Sequence, residues 1–275
     1  MGSKIKLDYT FKKEVLLGTE DLVMISFSGN HWDDIAYFPK LYQIGLVQKG
    51  AGKISSGEKE YLLKTGDFYF VYPGLVHKGK PDPTTGWTVT EIQISPAFIQ
   101  QFLGDEPDTF FNELQISNHL LQQKFTLLVD ELEMKPTRSE ISHSINDFLF
   151  ECSQTIVSDK KIPPSHRAVG KAKQYIEENF KENFSLEDLA NHAALSKFHL
   201  LRIFKKETGL APYTYQLQLR LNAARKLIFQ KKHLSEVAHE LGFVDQAHFI
   251  HTYKKYAAIT PGDFLNTAIF YNSKD

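Results

Sequence analysis

The sequence predicts a two-domain α+β protein. Its N-terminal half reads as a β-barrel with flanking helices, and its C-terminal half as an all-α unit with two helix–turn–helix elements joined by a long helix. Three observations carry this. The motif Leu186-x-x-Leu189-Ala190-x-x-x-Ala194-Leu195 returns 48 residues later as Leu234-x-x-Val237-Ala238-x-x-x-Gly242-Phe243. Residues 5–94 break into short alternating apolar segments separated by Gly, Pro and Asp. The net charge of −1 hides a split: residues 165–275 hold 16 Lys and Arg against 11 Asp and Glu, and the remainder 16 against 22. A basic half beside an acidic one fits phosphate attraction confined to one domain.

Beyond the turn the repeat resumes at a shift of 49, so that Leu200 answers to Phe249, Phe204 to Tyr253, Pro212 to Pro261 and Tyr215 to Phe264. In the first unit Ser185 is a helix cap, with Glu187 and Asp188 at the positive helix end. The turn Ala193-Ala194-Leu195 leads to a second cap, Ser196, and a helix over 197–207 that stops at Gly209. Leu200, Ile203 and Phe204 share its inner face. Lys197, Phe198, Leu201 and Arg202 then face outward, with His199 near the rim and Lys205 toward the helix end. An outward Phe and Leu beside an Arg suit a DNA major groove, where apolar groups meet thymine methyls and Arg forks onto guanine.

In the second unit a helix over 235–241 precedes the turn Gly242-Phe243, and Asp245 caps the reading helix. Gln246, Ala247, His248, Ile250 and His251 lie in its exposed first half, Phe249 and Tyr253 point inward, and Lys254 and Lys255 suit the phosphate backbone. Residues 213–229 form the connecting helix, about 25 Å at 1.5 Å per residue. That length places two readers roughly one turn of duplex apart. Taken singly, each of these residues also fits a core or solvated position in a small helical bundle; the repeated pair does not.

In the first half, strands are expected over 41–47 (closed by Lys49-Gly-Ala-Gly52), 53–55, 60–63, 68–72 and 87–94, a spacing typical of a sandwich or barrel. Tyr42, His77, Trp87 and Glu91 are the candidates to touch a small molecule inside it, since aromatic walls with a few polar groups make such pockets. No His-x-His accompanies His77, so no metal site and no cofactor is expected. Ser95-Pro96 starts a helix. Leu121, Phe125, Leu128 and Leu132 mark a second helix, and Ile141, Ile145, Phe148, Leu149, Cys152 and Ile156 a third. Pro163 and Pro164 interrupt the chain and mark 159–165 as a linker between domains 1–158 and 166–275. A single cysteine, a start without an apolar signal core and the lack of a long apolar run point to the cytoplasm and away from membranes.

Residues 166–275 resemble the tandem helix–turn–helix domain of the AraC/XylS family of bacterial transcription regulators. Matching residues include Ala190, Ser196, Leu200, Arg202, Phe204, Gly209, Pro212, Tyr215, Arg220, Leu221, Ala224 and Leu227, then Ala238, Gly242, Phe243, Phe249 and Pro261. The segment from Gly66 to His77 resembles the second cupin motif, which makes the predicted barrel cupin-like. The resemblance implies units at about 185–208 and 234–257, with DNA contacts from Phe198, Leu201, Arg202, Gln246, Ala247 and His251. It also implies a sequence-specific regulator, an activator controlled by a small-molecule effector in the barrel. Such a protein pairs two subunits through 119–157 and meets RNA polymerase. Ala258, Leu265, His251 and Leu201 depart from the family pattern and leave base preference open. Competing readings are a regulator whose first domain mediates only dimerisation or protein contacts, a cupin enzyme fused to a DNA reader, and an alkyl-transfer repair protein using Cys152.

Overall fold

The structure, a computed structural model, describes residues 10–16, 22–30, 35–103, 115–134, 138–156, 167–257 and 260–270. The predicted linker lies outside them. The N-terminal half contributes strands β1 (Thr10–Leu16), β2 (Leu22–Gly29), β3 (Tyr42–Ser56), β4 (Lys59–Lys64), β5 (Asp67–Val71), β6 (Lys78–Pro81), β7 (Trp87–Ile94) and β8 (Gln115–Ser117). Helices α1 (Pro96–Leu103), α2 (His119–Glu133) and α3 (Arg138–Ile156) complete it. The sheet runs β8-β5-β3-β7-β2-β1-β9, where β9 is the C-terminal strand Ala268–Phe270, and β4 and β6 pair with the outer part of β3.

The sheet is open, which corrects the expectation of a closed barrel. The reason lies in β3. Lys49-Gly-Ala-Gly52 does not end the strand, as its turn-like composition suggests; β3 continues through a bulge between Val47 and Lys49. Its first part pairs with β5 and β7, and its second with β4 and β6. Gly50 has φ 82°, and a Cβ there would lie 2.1 Å from the Gly86 carbonyl oxygen. A strand that bends from one layer into the other needs glycine at that close approach.

Alternation sorts the two faces. Leu22, Met24, Tyr42, Ile44, Phe68, Phe70, Ile92 and Ile94 pack against Phe125, Leu128 and Leu132 of α2 and Ile145, Phe148 and Cys152 of α3. Their odd-numbered neighbours Val23, Ile25, Gln43, Tyr69, Glu91 and Gln93 point to the other face. Asn118 caps α2, accepting from the Leu121 backbone N–H at 3.0 Å.

The C-terminal half is helical: α4 (Arg167–Asn179), α5 (Leu186–His192), α6 (Lys197–Thr208), α7 (Pro212–Phe229), α8 (Leu234–Glu240), α9 (Gln246–Ala257) and α10 (Pro261–Thr267). At 18 residues α7 is about 27 Å long. Among the described residues no helix is long and apolar enough to cross a membrane.

The halves share a core. Phe38, from the segment before β3, is buried in the cluster of the first helix–turn–helix unit, with Val169, Ile176, Leu200, Phe204 and Leu219. Its ring stacks on Tyr215 of α7 at 4.6 Å between centroids. The Asn222 amide donates to the Phe38 carbonyl at 3.4 Å, and Arg225 of α7 donates to Gln93 of β7 at 3.2 Å. At the far edge β9 pairs in parallel with β1, through Glu14 with Ala268 and Leu16 with Phe270.

Candidate nucleic-acid interface and effector cavity

Local hydrogen bonds set both reading helices. Ser185 and Asp188 form a reciprocal capping box at α5. Ser196 Oγ accepts from the His199 N–H at 3.4 Å, and Gly209 closes α6 in the left-handed conformation, φ 74°. Asp245 Oδ1 accepts from the His248 N–H at 2.7 Å to open α9. The two tight turns match: Ala194 has φ 55° where the second unit has Gly242 at 72°.

Leu200, Phe204, Phe249 and Tyr253 are buried, and they pull α6 and α9 onto their scanning helices. Lys197, Phe198, His199, Arg202, Lys205, Gln246, Ala247, His248, His251 and Lys254 are exposed, and Leu201 is half-buried. Lys197 is already paired, to Glu187 at 2.5 Å. Phe198 is 84% exposed, and so is Val244 at 86%, a position outside either helix that no periodic signal marks. A hydrophobe just before a cap usually folds back onto the fourth helical position; Val244 instead stands in solvent beside Asp245.

Arg220 of α7 faces inward rather than to solvent. It is 8% exposed. Its guanidinium donates to the carbonyls of Phe180 (2.7 Å), Gly242 (2.6 Å) and Glu182 (3.1 Å). The turn of the second unit is thereby tied to the loop before the first. Gly242 must be glycine here, because a Cβ would sit 2.1 Å from the Lys181 carbonyl oxygen.

A cavity of about 580 Å³ opens between the odd-numbered sheet face and α7, with α9 and α10 at one side. Its walls are mostly aromatic and aliphatic, including Phe27, Tyr69, Trp87, Phe229 and Tyr256. Of the candidates read from sequence, His77, Trp87 and Glu91 line it. Tyr42 does not: one step of strand alternation turns its side chain into the α2 and α3 core, where it is 3% exposed. The cavity also lies between the halves rather than inside a barrel. Gln43, Gln93, Gln218 and Arg225 line it without having been singled out, half of them from a helix remote in sequence.

Glu91 anchors the polar end. It accepts from Tyr69 Oη at 2.6 Å, Gln93 Nε2 at 2.5 Å and Gln43 Nε2 at 3.2 Å. Burial raises its pKa above the ordinary carboxylate range, while Gln93, Tyr69 and Arg225 pull the other way. Burial lowers His77 to about 4 against the weaker opposing effect of its bond to the Leu75 carbonyl (3.1 Å), so the ring is neutral at pH 7.

The sign follows from linkage. Between pH 6.5 and 4 the unfolded chain binds a proton that buried His77 refuses, so acidification removes up to about 3 kcal/mol of stability. Glu91 has the opposite slope, its contribution being present at low pH and lost as pH rises. Comparing His77→Gln with the unaltered chain isolates the histidine: its Tm should fall less between pH 6.5 and 4. Equal slopes would show that the ring protonates in place.

Comparisons with known proteins agree with this geometry. The family model described as an AraC-like ligand binding domain matches residues 26–151, and that of a helix-turn-helix domain matches 189–267. The arabinose operon regulatory protein of Salmonella typhimurium is 22% identical, over 82% of this chain and 83% of its own length. An uncharacterized HTH-type transcriptional regulator of Bacillus subtilis, YbfI, is 25% identical over 77% and 80%. In fold the chain is similar to ToxT from Vibrio cholerae in its unsaturated fatty acid-bound form: TM-score 0.58, 13% identity, 92% of this chain and 97% of that one.

A ligand-binding sheet domain coupled to two DNA-reading units defines a transcription regulator, not an enzyme. The chain belongs to the AraC/XylS family of these regulators. Cys152 supports no alkyl transfer, since it is buried on the inner face of α3 and burial pushes its thiol pKa far up.

Proposed function

We propose that α6 and α9 read adjacent major-groove segments, and that a small, largely apolar effector in the cavity between sheet and α7 sets how they are presented. The observation that carries this is the exposure of Phe198 and Val244 beside Arg202 and Gln246, at the start of two helices whose inner faces are buried. Apolar side chains there gain from thymine methyls what they lose in water. Lys205 and Lys254 follow as phosphate contacts, about two turns into each helix. A reader of chromosomal DNA works in the bacterial cytoplasm.

The test is binding to the operator. Arg202→Ala should cost about 1–3 kcal/mol and relax specificity at one position, whereas Lys254→Ala should weaken all sequences alike and lower the salt slope by about 1. An unchanged footprint for Arg202→Ala would remove it from the reading set.

The cavity reading rests on its volume and its lining from both halves, which suit a drug-sized molecule. The fatty acid bound to the similar ToxT supports an amphipathic occupant of this fold. Activation as the direction of control is supported by the name of a 22% identical relative, the lactose operon transcription activator of Staphylococcus xylosus, and contact with RNA polymerase would carry it out.

Two copies pair through α2 and α3 on this reading. Leu120, Leu127 and Met134 recur every seven residues and are exposed, and Phe150 of α3 is exposed as well. Exposed apolar residues on neighbouring helices suit burial against a second copy. Leu127→Glu should convert a dimer to a monomer in sedimentation equilibrium. A monomer before substitution would refute the pairing.

A further inference from the structure

The cavity wall keeps two buried amide atoms without protein partners. Gln43 on β3 and Gln218 on α7 are each 4% exposed and line the cavity from opposite halves of the molecule. Among the described residues, Gln43 Oε1 and Gln218 Nε2 have no hydrogen-bond partner. The orientation of Gln43 is fixed, because its Nε2 donates to Glu91 Oε1 at 3.2 Å, and the flipped amide would set its oxygen against a carboxylate. One acceptor and one donor therefore stand unused in a desolvated wall, where each is costly to leave unmade.

The chemistry of the Gln43 acceptor limits what fills them. Glu91 is 3% exposed and already holds three protein donors, and Arg225 on the same cavity wall opposes its charge. A carboxylate would leave the Gln43 oxygen unsatisfied, since it has no proton to give. A hydroxyl or a primary amide both donates and accepts, so it answers both groups without adding charge.

Taking the cavity as the effector site, we propose that the effector carries a neutral hydroxyl or primary amide on an apolar body, held between Gln43 of the sheet and Gln218 of α7. The ligand's polar group is then a bridge between the halves, and its presence or absence is felt by α7 directly. Gln43 and Gln218 are the specificity-determining residues of the site.

Four compounds on one skeleton test this with the full chain: phenylbutanol, phenylbutanamide, phenylbutanoate and butylbenzene, each titrated by calorimetry and thermal shift. The alcohol and the amide should bind about tenfold or more tighter than the other two. Gln218→Leu should erase that advantage while raising the Tm of the ligand-free protein, because it removes an unpartnered buried donor. A merely structural glutamine would lower the Tm instead, and that result would overturn the proposal. Equal binding of phenylbutanoate or butylbenzene would overturn it too, while leaving the cavity as an effector site. Silence from all four would remove the cavity reading along with it.

Discussion

Arg220→Ala should lower the stability of the C-terminal half by about 3–5 kcal/mol, more than any single change on the reading faces. The guanidinium is buried and donates to three backbone carbonyls besides weaker contacts to the Lys181 carbonyl and Asn183 Oδ1, both at 3.3 Å. Removing it leaves those carbonyls desolvated and unpaired, and each lost charge-assisted bond costs about 1.5–3 kcal/mol before water re-enters. The two reading units lose their common tie at the same moment, since Gly242 belongs to one turn and residues 180–183 precede the other unit. Operator affinity should therefore fall with stability although Arg220 touches no DNA. Urea unfolding of the full chain measures the first effect and gel shift the second. Arg220→Lys should recover little of either, because one ammonium cannot fork across carbonyls on separate loops. A loss under 1 kcal/mol would mean that water replaces the guanidinium freely.

The reading units were legible because their signals are local. Ser185, Ser196 and Asp245 cap, Gly209 stops, and the spacing of Leu200 with Phe204 and Phe249 with Tyr253 fixes the inner faces; the structure has all of these. The sheet was legible only in part. Its segments alternate as expected, but the parity of Tyr42 decides between helix core and cavity, and an aromatic ring suits either. Lys49-Gly-Ala-Gly52 has the composition of a turn, and only the approach of Gly86 to Gly50 shows why a continuing strand needs it. The cavity was the least legible feature. Gln218 and Arg225 look like the solvent side of an amphipathic helix, and what buries or half-buries them is a sheet from the other half of the chain. Periodicity records that a residue is polar, not what covers it.

Phe38→Ala should separate the two halves energetically. Truncating a fully packed phenylalanine costs about 3–5 kcal/mol when its surroundings stay in place. Phe38 is 3% exposed, stacked on Tyr215, and its neighbours Tyr37 and Pro39 line the cavity between the halves. The segment is held to the sheet by paired bonds between Tyr37 and His77, 3.1 and 2.9 Å, so it cannot follow α7 if the helical half moves away. The halves can instead let go of one another, which limits the loss to the free energy of docking. Calorimetric unfolding of the variant should split into two transitions, with hydrogen-exchange protection lost along the cavity side of α7. Stabilisation by any cavity ligand should shrink at least tenfold in apparent affinity, because the walls are no longer held together for it to bind. One cooperative transition with unchanged ligand response would show that Phe38 merely fills space. In the expected case the ring that completes the first reading unit's core sits in a segment whose Tyr37 and Pro39 line the cavity, and that shared segment is the physical route from the proposed effector to DNA.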